Sequence, residues 1–132
     1  ITNRGRLAFM VFKGRFVARI FKDFLKRLVR QLGHTAFLIV DGHPVHKSVA
    51  VRKWVEANRS QIELFFLPSY SPDLNPDELL NNDVKGNALG RRRPENQGQM
   101  IASVRGYLRS TQRQPHIVRN FFQEKHVRYA AS

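Results

Sequence analysis

Of the ten acidic side chains in the sequence, two stand where a carboxylate can do chemistry. Asp41 follows directly on the apolar run AFLIV (residues 36–40), and ligands of open α/β sheets gather beyond the carboxyl ends of strands. Glu78 comes later, in the first turn of a helix entered through a proline-rich loop. Carboxylates at such places suit Mg²⁺, a hard ion that prefers carboxylate, phosphate and water oxygens. Two such ions about 4 Å apart stabilise both the entering and the leaving oxygen when a phosphodiester is attacked in line. Each acid also has a plainer explanation, Asp41 as a turn former and Glu78 as a complement to the helix dipole. If the two serve one site, their carboxylates are expected on one rim of the sheet, about 4 to 8 Å apart and facing the same cleft. Asp77 falls on a different side of its helix from Glu78, and Asp83 more than a turn beyond, so neither is expected to join them.

The elements that must hold these acids are legible as periodicity. Residues 6–12 (RLAFMVF), bracketed by Gly5 and Gly14, read as a strand at a hairpin. From 16 to 32 the apolar residues Phe16, Ile20, Phe21, Phe24, Leu25, Leu28, Val29 and Leu32 recur every three or four positions, an amphipathic helix stopped at Gly33. Residues 36–40 read as a strand buried on both faces. A second helix over 48–58 starts near a Ser48 cap, and 61–67 (QIELFFL) is another strand. Pro68, Pro72 and Pro76 then force a loop. Asn75 is placed to cap a helix with Pro76 at its first position, running from 77 to about 89. A basic connector at 90–94 (GRRRP) leads to two amphipathic stretches, one through Met100, Ile101, Val104 and Leu108, the other through Ile117, Val118, Phe121 and Phe122 after Pro115. Strands alternating with helices predict an α/β fold with a partly parallel sheet.

Composition narrows the partners. One hundred and thirty-two residues, ten of them Phe, are one domain's worth of chain with enough apolar mass for a core. Twenty-three Lys and Arg leave a formal charge of +13, which attracts polyanions, nucleic acid first. A membrane surface ranks lower, because no apolar run approaches the roughly 20 residues needed to span. The absence of Cys excludes disulfides, thiolate chemistry and Cys-based zinc sites, and suits a reducing interior. No secretory signal is visible, and the chain opens at Ile1 without an initiating Met, which points to residues removed or unrecorded before it. Candidate phosphate contacts are Lys47, Arg52 and Lys85, near the mouth that Asp41 and Glu78 would define, and Arg91, Arg92 and Arg93, the densest cationic run. The plain reading of any charge run is a solvated face. Tyr70 either stacks on a base or pins its loop to the core. His43 and His46 flank Pro44, but a two-His metal site would still lack ligands.

The run LIVDGHPVHKS, followed by FLPSYSPDLNPDELLNNDVK, resembles the endonuclease domain of bacterial insertion-sequence transposases of the mariner-like superfamily. GRLAFMVFKGRF and QRQPHIVRNFFQEKHVRYAA resemble segments on either side. The resemblance implies a ribonuclease H-like fold, a mixed sheet flanked by helices and truncated here at its N-terminal strands. It implies an Asp, Asp, Glu or Asp triad in which Asp41 matches the second acid and Glu78 the third, both catalytic and both ligands of Mg²⁺, with Mn²⁺ as substitute. The implied reaction hydrolyses transposon ends and then joins the freed 3′-hydroxyl to target DNA, without a covalent intermediate. Double-stranded DNA is the implied partner, a homodimer the implied full-length assembly, and the bacterial cytoplasm at the nucleoid the implied place. His46 matches a His common in the family, a DNA-binding residue near the scissile phosphate or one that shapes the loop, against the alternative of surface exposure. Asn81 stands where many members have a Trp three positions after the Glu. The family's first Asp and its end-recognising helix-turn-helix have no counterpart in the sequence. The chain is thus expected to be a truncated excerpt, one frame of a split gene, or a decayed remnant, inactive alone. A catalytic domain and an inactive basic DNA-binding remnant remain as two functional readings, and a ribonuclease or resolvase of the same fold is disfavoured by the SYSPDLNP loop.

Overall fold

A parallel pair of strands joined through a helix forms the centre of one part of the molecule. The computed structural model describes residues 1–90 and 93–131. Contacts divide the chain into two units, Phe12–Pro72 and Ile1–Val11 with Asp73–Ser132. The first unit contains α1 (Ala18–Leu32), β1 (Ala36–Val40), α2 (Val49–Ala57) and β2 (Ile62–Phe66). Helix α1 ends at Gly33, whose φ of 67° is the left-handed conformation that glycine adopts without a Cβ clash. Strands β1 and β2 run parallel in the register Ala36↔Ile62 to Val40↔Phe66, and the pairing continues with Leu67 N–H donating to the Val40 carbonyl at 2.8 Å. Phe21 and Leu25 of α1 and Val51 of α2 share one core with Ala36, Val40 and Ile62. The strand period of two then sends Phe37, Ile39 and Phe65 the other way.

That alternation corrects one expectation. Strand β1 is not buried on both faces: Phe37 is 69% and Ile39 39% exposed. Both helices of this unit pack into one core on the Ala36, Leu38 and Val40 side, so the opposite face, where Phe37 and Phe65 meet with ring centroids 6.4 Å apart, stays open. Among the described residues the sheet holds two strands, both parallel, so the expected mixed sheet is not found there.

The second unit is helical, with α3 (Pro76–Val84), α4 (Gln97–Gln112) and α5 (Pro115–Phe121) around Leu80, Leu108 and Val118. The expected strand at 6–12 is a second correction, for these residues carry no strand. Leu7 inserts into the helical core instead, and its carbonyl accepts from Gln112 Nε2 at 2.7 Å, a side chain where a neighbouring strand would otherwise donate. Gly5, with a φ of +92°, makes that entry possible, because a Cβ there would meet the Pro115 carbonyl oxygen at 2.6 Å. A third correction concerns α3, which stops at Val84 and passes into a π-helical turn at Lys85–Leu89. The Asn87 side-chain amide donates to the Asp83 carbonyl at 3.1 Å and to its Oδ1 at 2.9 Å. It thereby supplies the donor that the α-helical ladder would take from the Asn87 backbone. No helix among the described residues is long and apolar enough to cross a membrane.

Candidate active site

Asp41 leaves β1 into a loop built from nested side-chain caps. Its Oδ1 accepts from the backbone N–H of His43 at 2.9 Å, the two-residue reach of an Asx turn. His43 Nδ1 accepts in turn from the Val45 N–H at 3.1 Å, opening a 3₁₀ turn at Pro44–Lys47 with Pro44 at its start. Ser48 then caps α2 by accepting from the Val51 N–H. The chain is therefore steered from the strand end into α2 by Asp41, His43 and Ser48 in succession.

The His46 ring folds back over this loop. Its Nδ1 lies 3.0 Å from Asp41 Oδ1 and 3.2 Å from the Asp41 carbonyl oxygen. The ring packs on Phe21, centroids 4.5 Å apart, and edge-on to Phe16 at 5.7 Å. Only 14% of the His46 side chain is exposed, against 51% for Asp41, so simple surface exposure does not describe His46. Among the described residues no donor reaches Asp41 Oδ2.

Glu78 is positioned by the start of α3. Asn75 Oδ1 accepts from the Asp77 N–H at 3.0 Å, the Asn75 carbonyl accepts from the Glu78 N–H at 3.0 Å, and Pro76 fills the first helical position. Among the described residues the Glu78 carboxylate has no hydrogen-bond partner. Its neighbour Asp83 is engaged, accepting from Tyr107 Oη at 2.6 Å as well as from Asn87.

Asp41 belongs to the Phe12–Pro72 unit and Glu78 to the other. Both offer hard oxygen donors with an unengaged carboxylate oxygen, which fits Mg²⁺ or Mn²⁺ in donor type. In number they fall short of a closed set, and the described residues contain no group of three His, Asp or Glu able to hold a metal.

The structure brings Lys47 to the Asp41 loop. Its Nζ lies 5.4 Å from the Phe66 ring centroid at the end of β2, and a Cβ on Gly42 would sit 3.6 Å from that Nζ. Arg52 is exposed on α2, where with Lys53 and Glu56 it lines a shallow depression. Lys85 opens the π-helical turn, exposed, and Arg93 is exposed beyond it. Arg91 and Arg92 lie outside the described residues. Tyr70 is fully exposed at a φ of 56°, so it does not pin its loop to a core. Sequence reasoning missed His43 as the loop's scaffold, although an Asp two positions before it is the spacing of an Asx turn. It also missed Phe16 and Phe21 as the wall behind His46, because helical periodicity marks them only as core.

A family model described as DDE superfamily endonuclease matches residues 1–101. The match takes in the Asp41 loop, the proline loop and Glu78, and ends just inside α4. No curated protein matches the chain.

Proposed function

The chain belongs to the DDE superfamily endonucleases, and from that premise we propose that it is catalytic-domain sequence of a mariner-like transposase of a bacterial insertion sequence. The proposed activity is metal-dependent hydrolysis of phosphodiesters at transposon ends, followed by strand transfer into target DNA, on a ribonuclease H-like fold. The observation that carries this reading is the state of Asp41. It sits just beyond the carboxyl end of a parallel strand, with one carboxylate oxygen held by its own loop and the other open.

In this reading Asp41 and Glu78 hold Mg²⁺, or Mn²⁺ in its place. The bound ions would stabilise the charge that develops on the attacking and leaving oxygens of the scissile phosphate. The protein's own share is positioning. The Asx turn holds one oxygen of the Asp41 carboxylate, and the Asn75 cap fixes the backbone from which Glu78 projects, so the Asp41 carboxylate is ordered before the substrate arrives. Lys47, Arg52, Lys85, Arg91, Arg92 and Arg93 are the proposed contacts to the DNA backbone, and a homodimer the proposed working assembly. The formal charge of +13 supports a DNA partner.

Nicking of supercoiled plasmid by the full product of the gene tests the proposal. Cleavage should require Mg²⁺ or Mn²⁺ and disappear in both Asp41→Ala and Glu78→Ala. DNA binding that survives without any nicking in either metal would favour the inactive basic module, and nicking indifferent to both substitutions would overturn the site.

A further inference from the structure

We propose that His46 is a positioning residue for Asp41: a proton on Nδ1, hydrogen-bonded to the Asp41 carbonyl and 3.0 Å from Oδ1, holds that oxygen inward so that Oδ2 remains the oxygen open to a cation. The inference rests on the proposed role of Asp41 as a metal ligand, but its geometry is independent of that role.

The argument starts from the neighbours of His46 Nδ1. Both are oxygens that only accept, the Asp41 carboxylate at 3.0 Å and the Asp41 carbonyl at 3.2 Å. A bare ring nitrogen facing two acceptors would be repelled, so Nδ1 carries the hydrogen. His43, three residues earlier, is the reverse case. Its Nδ1 accepts from the Val45 N–H, so in the neutral ring the hydrogen is on Nε2. Two histidines on one short loop thus hold opposite tautomers, each set by the backbone around it. Asp41 Oδ1 accepts the His43 N–H at 2.9 Å and has His46 Nδ1 beside it at 3.0 Å, while the His46 hydrogen bond itself goes to the Asp41 carbonyl. Phe21 and Phe16 keep the His46 ring from turning away. Partners that orient a metal-binding carboxylate in this way typically change metal affinity by about 10- to 100-fold when lost.

The test uses the ¹⁵N-labelled 132-residue chain. Ring-nitrogen chemical shifts should report Nδ1–H at His46 and Nε2–H at His43. Nε2–H at His46 would overturn the proposal without any variant. Mn²⁺ binding, read as paramagnetic broadening of amide signals in the Asp41 to Ser48 loop, separates positioning from packing. His46→Asn puts an amide N–H where Nδ1 stands and should keep an affinity close to wild type. His46→Gln, whose amide matches the other nitrogen, and His46→Leu, which keeps bulk but no donor, should both weaken binding by about tenfold or more. If Asp41→Ala abolishes the broadening but Gln and Leu at position 46 leave it intact, positioning is wrong and the metal site stands. Equal losses in Asn, Gln and Leu would likewise defeat it, since the donor would then not matter. Broadening unchanged in Asp41→Ala would instead remove the metal-site reading on which the inference rests.

Discussion

A carboxylate serves a cation only if the protein leaves it an oxygen, and the acids of this chain sort themselves by that criterion. Asp83 is spent on structure, because Tyr107 Oη, 24 residues away, bonds to its Oδ2 at 2.6 Å while Asn87 bonds to Oδ1. Tyr107→Phe should therefore destabilise the protein by about 1–2 kcal/mol, the scale of a partly buried hydrogen bond to a charge. Urea unfolding would measure it, and DNA affinity should not change. A stability change near zero would mean that water replaces the hydroxyl at no cost. Asp41 and Glu78 could be singled out from sequence because their claim depends on local place, the end of a strand and the first turn of a helix. The partner of Asp83 could not, since no pattern in α3 says which residue of α4 will face it.

Helices were legible where period and punctuation agree. Gly33, Ser48, Asn75 and Pro115 mark ends that the structure keeps within a residue or two. Asn75→Ala should cost about 1 kcal/mol by removing the acceptor for the Asp77 N–H, seen as a lower midpoint in a urea melt. The proposed strand at 6–12 failed for a different reason. An extended apolar segment is equally suited to a sheet and to a groove between helices, and which one it enters is decided by partners far away in sequence, here Gln112 and Leu108. The last turn, Arg128–Ala130, gave no sequence signal either, yet Tyr129 Oη donates to the Leu74 carbonyl at 2.6 Å. Partial burial raises the Tyr129 hydroxyl above its ordinary value of 10.0. A raised folded-state value means that the neutral form belongs to the fold, so its contribution is complete below the ordinary value and lost as pH climbs through the raised one. Tyr129→Phe should cost about 0.5–1 kcal/mol at neutral pH and flatten the loss of thermal stability above pH 10. An alkaline decline of equal steepness in both proteins would assign it to other groups.

For the molecule as a whole, charge is the dominant fact and the one most completely given by composition. A +13 chain should bind duplex DNA without sequence preference, with log K falling linearly in log salt by about 0.9 for each phosphate engaged. Joint replacement of Arg91, Arg92 and Arg93 by Ala should reduce that slope by roughly one unit for each contact removed. Fluorescence anisotropy with a labelled duplex at several salt concentrations would measure both, and an unchanged slope would move the interface elsewhere. Which face of β1 stays open is not legible in the sequence, because a run such as AFLIV looks the same whether one or both of its faces are covered. Phe37, Ile39 and Phe65 form an apolar surface that a hydrophobic dye should light up, and Phe37→Ser should dim it.

The division of the chain also sorts its chromophores. The single tryptophan, Trp54, packs against the core of the Phe12–Pro72 unit, whereas Tyr107 and Tyr129, two of the three tyrosines, lie in the other unit. Indole emission therefore watches one unit melt, and tyrosine absorbance is weighted towards the other. Superimposable curves would mean that the units unfold as one cooperative body, and displaced curves that each holds its own stability.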